Sequence, residues 1–342
     1  MFRFGFADPA TPPPAAEGCA DGNAQPAEQQ EAAEEVLASE GVPTGAQERI
    51  FVSPSLSLIK GVVSNSQAAT LLSDERVASN DVIAGVYEGG FKTWEGGIDL
   101  AQYVAMVAEQ QQAAEQPHPQ RQLADGQAAE QAEQQAEQQA EQRVQAPPLA
   151  LGPGRRVMEL GCGSGLPGLV ALWAGAEAHF QDYNRSVLTR LTTQNVSANA
   201  AAWAARQALT GGAGADAHAA ARARYFAGSW DALPGLLAAA GLQHSYDVVL
   251  TAETIYSLEA MRSLLTAIKA CLHPGSGVAL VAAKSYYFGV GGGTAAFARL
   301  VAQDGVLECS CAAVLDDGQS NKREILRLGF PAAAAAAAEG AQ

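Results

Sequence analysis

The 342-residue sequence has no apolar run approaching the ~20 residues that cross a bilayer, so a transmembrane helix is not expected. The first 20 residues are rich in Pro and Ala, with no basic segment leading into an apolar one, so a secretory signal is not expected either. Positive charge is scarce: 21 Lys plus Arg stand against 36 Asp plus Glu, a formal net charge of −15. This disfavours sequence-independent nucleic-acid binding, which needs a basic footprint, and is compatible with a basic protein partner. The five cysteines (Cys19, Cys162, Cys271, Cys309 and Cys311) are scattered, and the one close pair is a lone C-x-C rather than a zinc pattern. Dispersed thiols suit a reducing compartment such as cytosol or nucleus.

Aromatic residues are also few, and two low-complexity stretches contain none. Residues 7–47 are dominated by Ala, Pro, Glu and Gln; they cannot bury enough apolar surface to offset the entropy of ordering, so 1–48 is expected to be disordered. Residues 108–148 form a Gln/Glu/Ala-rich insertion with a four-residue period from Ala132. Its composition favours helix, but without an apolar stripe it has nothing to dock on. The Ala run of 332–342 is read as a tail.

Between these lie two patterned spans. Residues 49–107 carry apolar anchors (Ile50, Phe51, Val52, Leu56, Leu58, Ile59, Val62, Val63), an aromatic and Gly-rich segment from Asp81 to Trp94, and a helical run over 98–107. Residues 149–331 alternate between strand and helix patterns. Strands are expected at 156–160, 178–181, 224–226, 247–251 and 277–283, and helices at 169–174, 186–208, 258–272 and 294–302. A closing hairpin is expected from 306–314 and 323–328. Alternation of this kind means βαβ crossovers and an α/β fold with a mostly parallel sheet, to which the hairpin adds a C-terminal antiparallel strand.

The strongest chemical motif is Val157-Met158-Glu159-Leu160-Gly161-Cys162-Gly163-Ser164-Gly165, an apolar strand running into alternate glycines and then a helix. Glycines there let the chain turn sharply and approach a ligand closely. A NAD site needs G-x-G-x-x-G, and Leu166 occupies the third glycine's position. S-adenosylmethionine carries no phosphate, and its cationic sulfonium and ammonium favour nearby carboxylates such as Glu159. A tight turn without a ligand is the plain alternative. The second motif, His179-Phe180-Gln181-Asp182-Tyr183-Asn184, puts an acid about 20 residues beyond the glycines, where it can accept hydrogen bonds from ribose hydroxyls. Tyr183 is placed to pack on an adenine. Alternatively Asp182 caps the next helix, in competition with Asn184 or Ser186.

The third motif, Thr251-Ala252-Glu253-Thr254-Ile255-Tyr256, follows the fourth strand and makes Glu253 the candidate for contact with a substrate. A surface acid or helix cap is the alternative. The fourth, Lys284-Ser285-Tyr286-Tyr287-Phe288-Gly289-Val290-Gly291-Gly292-Gly293, reads as a pocket wall with a mobile edge, or as a packed connection whose glycines relieve crowding. Tyr256, Tyr287, Phe288 and Gly289 are the candidate substrate contacts. Finally, Tyr87 to Glu95 suggests a lid folded over the cofactor.

Taken together, the segments Gly85 to Glu95, Glu159 to Gly165, His179 to Asn184, Gly228-Ser229-Trp230, Leu250 to Tyr256 and Tyr287 to Gly293 resemble the histidine protein methyltransferase family; so does the aromatic start Phe2-Arg3-Phe4-Gly5-Phe6. The resemblance covers about 81–330 apart from the insertion. It implies a Rossmann-like seven-strand methyltransferase sheet and an S-adenosyl-L-methionine-dependent protein-histidine N-methyltransferase. The implied substrate is large ribosomal subunit protein three, modified at the tele nitrogen, and the implied location is cytoplasm and nucleus, including the nucleolus. It also implies cofactor contacts at Thr93, Trp94, Glu95, Gly96 and Gly97, at Gly161, at Asp182, Tyr183 and Asn184, at Gly228, Ser229 and Trp230, and around Ala252. Glu159, Gly163 and Gly165 join these from the glycine motif. The sequence departs from the family in having Glu159 where Asp is common and Gly96-Gly97 in place of bulkier residues. Residues 205–223 lack a basic cluster, and the long insertion is atypical.

The expected chemistry is in-line attack of a neutral imidazole on the sulfonium methyl, with Glu253 holding the other ring nitrogen. Three other readings remain open on the residues: protein-lysine methylation, a non-catalytic ribosomal-protein chaperone that retains the fold, and, least favoured, a NAD-dependent dehydrogenase.

Overall fold

A computed structural model of the chain describes residues 33–41, 45–115, 149–210, 218–316, 318 and 321–331. The aromatic start, most of the insertion and the Ala-rich tail lie outside the described residues.

Central strands form where short apolar-rich stretches recur between helical segments. They are β4 (Arg156–Leu160), β5 (Glu177–Asp182), β6 (Ala223–Ala227), β7 (Val248–Ala252) and β8 (Val278–Lys284). All five pair in parallel. Alternate side chains feed opposite faces of the sheet, as the period of two requires. Val157, Val248, Leu250, Val278 and Leu280 enter one core; Met158, Leu160, Val249, Ala279 and Val281 enter the other. A sheet covered on both faces explains why these strands read as continuous rather than alternating apolar runs.

The strand order is β1-β6-β5-β4-β7-β8-β10-β9, with β1 at Glu34–Val36, β9 at Glu308–Leu315 and β10 at Arg323–Gly329. β10 runs antiparallel between β8 and β9, as expected of the closing hairpin. Chain direction across the sheet reverses at β4, so β5 and β7 flank it and a crevice opens beyond their carboxyl ends. This is the Rossmann-like arrangement, and such a switch point is where ligands bind.

The sheet has an eighth strand, which corrects the expectation of disorder through residue 48. β1 (Glu34–Val36) pairs antiparallel with β6. Val36 is buried, and Arg224 meets Glu35 at 2.7 Å. Composition reports how much core a segment can build; β1 instead satisfies an open sheet edge with its backbone. Beside it, β2 (Gln47–Phe51) and β3 (Ser57–Gly61) form a hairpin.

Several helices cover the sheet. Helix α1 (Asn65–Leu72) belongs to the N-terminal extension. Helix α2 spans Glu95–Glu115, beginning before 98 and passing the expected boundary at 107, because Ala, Gln and Glu carry it onward. It packs on α3 (Leu166–Trp173) and across β7 and β8. The segment after β5 is helical at Arg185–Val187, makes a π turn at Leu188–Thr192, and continues as α4 (Thr193–Thr210). Asn195 and Asn199 on α4 accept the Gly61 and Ile59 amides at 2.7 and 2.8 Å, fastening the β2–β3 hairpin to the main sheet. Helix α5 (Leu233–Ala239), not foreseen, begins at a proline. Helices α6 (Leu258–Cys271) and α7 (Thr294–Asp304) fall where expected.

Leu250 is fully buried in the central strand β7. Leu250→Ala is expected to lower stability by about 2–5 kcal/mol, seen as a lower urea midpoint at unchanged slope. Val314→Ala, on the exposed edge strand β9, is expected to change it by less than about 0.5 kcal/mol.

Candidate active site

The turn after β4 is shaped by glycines at positive φ. Gly161 sits at φ +61, and a Cβ there would lie 2.8 Å from the Thr254 methyl. Gly163 sits at φ +49, and a Cβ there would lie 2.9 Å from the carbonyl oxygen of Gly90. Both positions therefore exclude any side chain, on conformation and on space. Thr192, presented by the π turn, donates to the Gly163 carbonyl at 2.7 Å and supports the loop from below.

Two carboxyl groups face this elbow from within the protein. Asp182, at the end of β5, accepts the Gly163 amide at 2.9 Å and the Asn184 amide at 3.1 Å. Burial raises its pKa to about 6. The second is a local turn onto Asn184, which itself holds the N-cap position of the next helix, so Asp182 is not the helix cap weighed against ribose binding; the first ties β5 to the glycine elbow. Glu159 accepts the Gly168 amide at the start of α3 at 2.8 Å, and burial raises its pKa to about 8.

Gln181 joins three segments at this point, a role the sequence reading missed. Its carbonyl oxygen accepts the Gly161 amide at 3.2 Å and the Trp230 indole N–H at 2.9 Å, and its amide donates to the Gly228 carbonyl at 2.7 Å. A buried polar residue ending a strand was the available signal.

Residues 81–94 close over the elbow. Tyr87 turns back on Ile83, and its hydroxyl accepts the Phe91 amide at 3.1 Å. Tyr183 donates to the Gly85 carbonyl at 2.9 Å, and Asn184 donates to the Val86 carbonyl at 2.8 Å. The Tyr256 hydroxyl donates to Glu88 from the opposite wall. Lys92 pairs with Asp81 at 2.9 Å and lies 4.5 Å over the Trp94 ring. The segment from 81 to 94 is thus hydrogen-bonded to the ends of β5 and β7.

Glu253 follows β7 with φ +59, a left-handed conformation that costs a non-glycine residue free energy and recurs at functional sites. One carboxylate oxygen accepts the Gly96 amide at 3.2 Å; the other accepts the Tyr287 hydroxyl. Burial pushes its pKa up, while the Tyr287 hydroxyl pulls it down.

These groups surround a cavity of about 500 Å³, within the ~300–1,000 Å³ of small-molecule sites. Of the candidate residues, Thr93, Trp94 and Gly97 line it from the lid side, and Glu159, Gly161 and Gly163 from the elbow. Asp182 and Tyr183 line it from β5, and Gly228, Ser229 and Trp230 from beyond β6. Ala252, Glu253 and Tyr256 complete the wall. Gln181, Glu88, Gly90 and Thr254 line it too and were not singled out.

Seven candidates stand outside the lining. Glu95 turns toward Lys284 and Arg323 at 3.5 and 3.7 Å. Gly96 sits behind Glu253, where a Cβ would lie 2.7 Å from the carboxylate. Gly165 packs on Phe180 as the cap of α3, and Asn184 holds the lid. Tyr287 is buried behind Glu253, whereas Phe288 is 72% exposed, its ring edge-on to Tyr286 at 4.7 Å. Gly289 faces open space. In the glycine run that follows, a Cβ on Gly292 would lie 2.2 Å from the Tyr256 carbonyl oxygen, so this segment is a packed connection rather than a mobile edge.

No protein-family model matches the chain. It is 31% identical over 248 residues to "Histidine protein methyltransferase 1 homolog" of Dictyostelium discoideum, covering 72% of this chain and 60% of that protein. It is likewise 31% identical over 267 residues to the protein of the same name from Rattus norvegicus, covering 76% and 62%. The chain therefore spans about six tenths of the length of the curated relatives it matches. Among solved structures it overlaps magnesium protoporphyrin IX methyltransferase from Synechocystis with bound SAH. The identity there is 13% and the TM-score 0.34, over 67% of this chain and 87% of that one. The architecture rests on the strand order described above. Over 72–76% of its length, the chain is a relative of the histidine protein methyltransferase 1 homologues.

Proposed function

We propose that the chain is an S-adenosylmethionine-dependent protein-histidine N-methyltransferase. The observation that carries this reading is the pair of buried carboxyl groups, Glu159 and Asp182, on one glycine elbow at the sheet's switch point. Burial raises both pKa values, and positive charge placed beside them would return both groups to their ionised forms. A sulfonium nucleoside with an ammonium tail has that charge.

The residues present fit such a group. Gly161 and Gly163 leave a cradle that any Cβ would fill. Thr93 Oγ1, buried in the cavity wall, has no hydrogen-bond partner among the described residues, and a polar group of a ligand would satisfy it. Asp182 would receive the ribose hydroxyls on the lone pairs that Gly163 and Asn184 leave free, with Tyr183 against the adenine and Glu159 toward the positive end. Bound there, S-adenosylmethionine supplies an electrophilic methyl group.

The chain's own residues then orient the target. Free imidazole has a pKa of ~6.5, so the neutral nucleophile is abundant at neutral pH and no strong base is needed. Glu253 accepts the N–H of the target ring, fixes its tautomer and stabilises the positive charge that develops on it. Orientation of the two reactants is worth up to ~7–11 kcal/mol. The target we favour is a histidine of large ribosomal subunit protein three, methylated at the tele nitrogen. A basic substrate of this kind is supported by the acidic groups Glu88, Asp231 and Glu259 in the cavity wall. We place the enzyme in the cytoplasm and nucleus, including the nucleolus, acting on protein without direct contact with nucleic acid or membrane.

The test is incubation of the full chain with radiolabelled methyl donor and ribosomal proteins, followed by mass spectrometry. Label on a histidine is the expected result; label on lysine only, or none, overturns the reading. Cofactor affinity is expected to rise with pH. Asp182, protonated below about 6, accepts the ribose hydroxyls fully only once that proton is lost, and Glu159, protonated below about 8, must lose its proton to meet the cation, so binding strengthens as pH rises through both values. Calorimetry should show S-adenosylmethionine binding several-fold tighter at pH 7.5 than at pH 5.5, with a smaller change for uncharged-sulfur S-adenosylhomocysteine; equal dependence for both would contradict this electrostatic account. Glu253→Gln is expected to lower kcat by about 100-fold while leaving cofactor affinity within threefold. Unchanged turnover would remove Glu253 from the mechanism.

A further inference from the structure

We infer that Tyr287 is the positioning residue of this site: its buried hydroxyl donates to the Glu253 carboxylate and directs it at the cavity. The inference rests on the role of Glu253 proposed above. It also revises the expectation that Tyr287 touches the substrate.

Tyr287 is 5% exposed and forms no part of the cavity lining. Its hydroxyl donates to Glu253 Oε2 and accepts the Lys284 amide at 3.3 Å. The Lys284 amide, the Tyr287 hydroxyl and the Glu253 carboxylate thus form a chain in which each donor points toward the cavity. The Tyr287 ring stands edge-on to Tyr256 at 6.5 Å, so packing fixes the phenol as well. The backbone around it is equally constrained. The Tyr287 amide donates to the Gly292 carbonyl at 3.2 Å, and the Gly293 amide donates to the Ile255 carbonyl at 2.9 Å. Residues 285–293 are therefore strapped onto 253–257, and the glycines at 292 and 293 permit the contact.

Glu253 needs such a partner. It occupies a left-handed backbone conformation in a buried setting, and burial favours the neutral acid. The groups that face it pull in different directions. Lys284 from the end of β8 and the Gly96 amide from α2 favour the carboxylate; Glu95 from α2 opposes it. Glu95 is itself paired with Lys284 and Arg323. The Tyr287 hydroxyl is the stronger of the two hydrogen-bonding influences on the carboxylate, ahead of the Gly96 amide. Burial also pushes the phenol's own ionisation well above its usual range, so it remains a donor across the pH range of an assay.

Tyr287→Phe keeps the ring and its packing and removes only the donor. Loss of a hydrogen bond to a charged group is expected to lower kcat about tenfold at pH 7 and to raise the Glu253 pKa. The ratio of variant to native rate should therefore climb with pH, with cofactor affinity unchanged. In a Glu253→Gln background the same substitution should cost less than twofold, because Tyr287 acts through the carboxylate. A rate ratio flat in pH, or a full tenfold loss repeated in the Glu253→Gln background, would overturn the inference. Carbon-13 NMR titration of the labelled Glu253 carboxyl in native and Tyr287→Phe proteins reads the contact without turnover, and no rise in its pKa would also overturn it. If the native chain transfers no methyl group while that titration shows the rise, the proposed function fails and the positioning contact stands.

Discussion

The hydrogen bond from the Gly163 amide to Asp182 is the contact on which the site depends. It joins the end of β5 to the elbow after β4, the strand at which the strand order reverses. It demands a glycine, because the amide can point at the carboxylate only from a positive φ and only with the space below Gly90 left empty. Around it, Gln181 draws the elbow, Trp230 and Gly228 together, and Tyr183 and Asn184 draw the lid across. The cavity is the volume these constraints leave.

This construction concentrates unfavourable groups in one place. Glu159, Asp182 and Glu253 are all buried acids, and Glu253 sits on a left-handed backbone. Each accepts backbone amides, which partly offsets the cost of desolvation. A cavity so lined gains most from a ligand or transition state that brings positive charge, since charge interactions strengthen where water is excluded. In the proposed reaction, methyl transfer to an imidazole would move positive charge from sulfur to the ring, and Glu159 and Glu253 are the carboxyl groups that would meet it.

Much of this was legible in the sequence where the cause is local. β4, β7 and β8 were placed to within a residue because buried parallel strands are short, apolar-rich runs. Helix α6 was expected at 258–272 and is found at Leu258–Cys271, where Ser257 caps it. What escaped depends on partners distant in the chain. β1 exists only because β6 offers an edge, and no window around Glu34–Val36 contains that fact. The π turn at Leu188–Thr192 answers to the elbow it supports. At the site, Asp182 and the glycines announce themselves by type and spacing, whereas Glu95, Asn184 and Tyr287 were assigned to the ligand and instead brace the wall around it. Sequence spacing marks the segments that meet at a site; which side chains face inward is decided by packing between those segments.

Calorimetric titration of the full chain with S-adenosylmethionine, beside a Gly163→Val variant shown by circular dichroism to be folded, addresses the central claim directly. The account predicts one saturable site in the native protein and none in the variant, because a side chain at 163 would push into Gly90 and displace the amide from Asp182. Equal binding by both proteins, or no binding by the native chain, would contradict it.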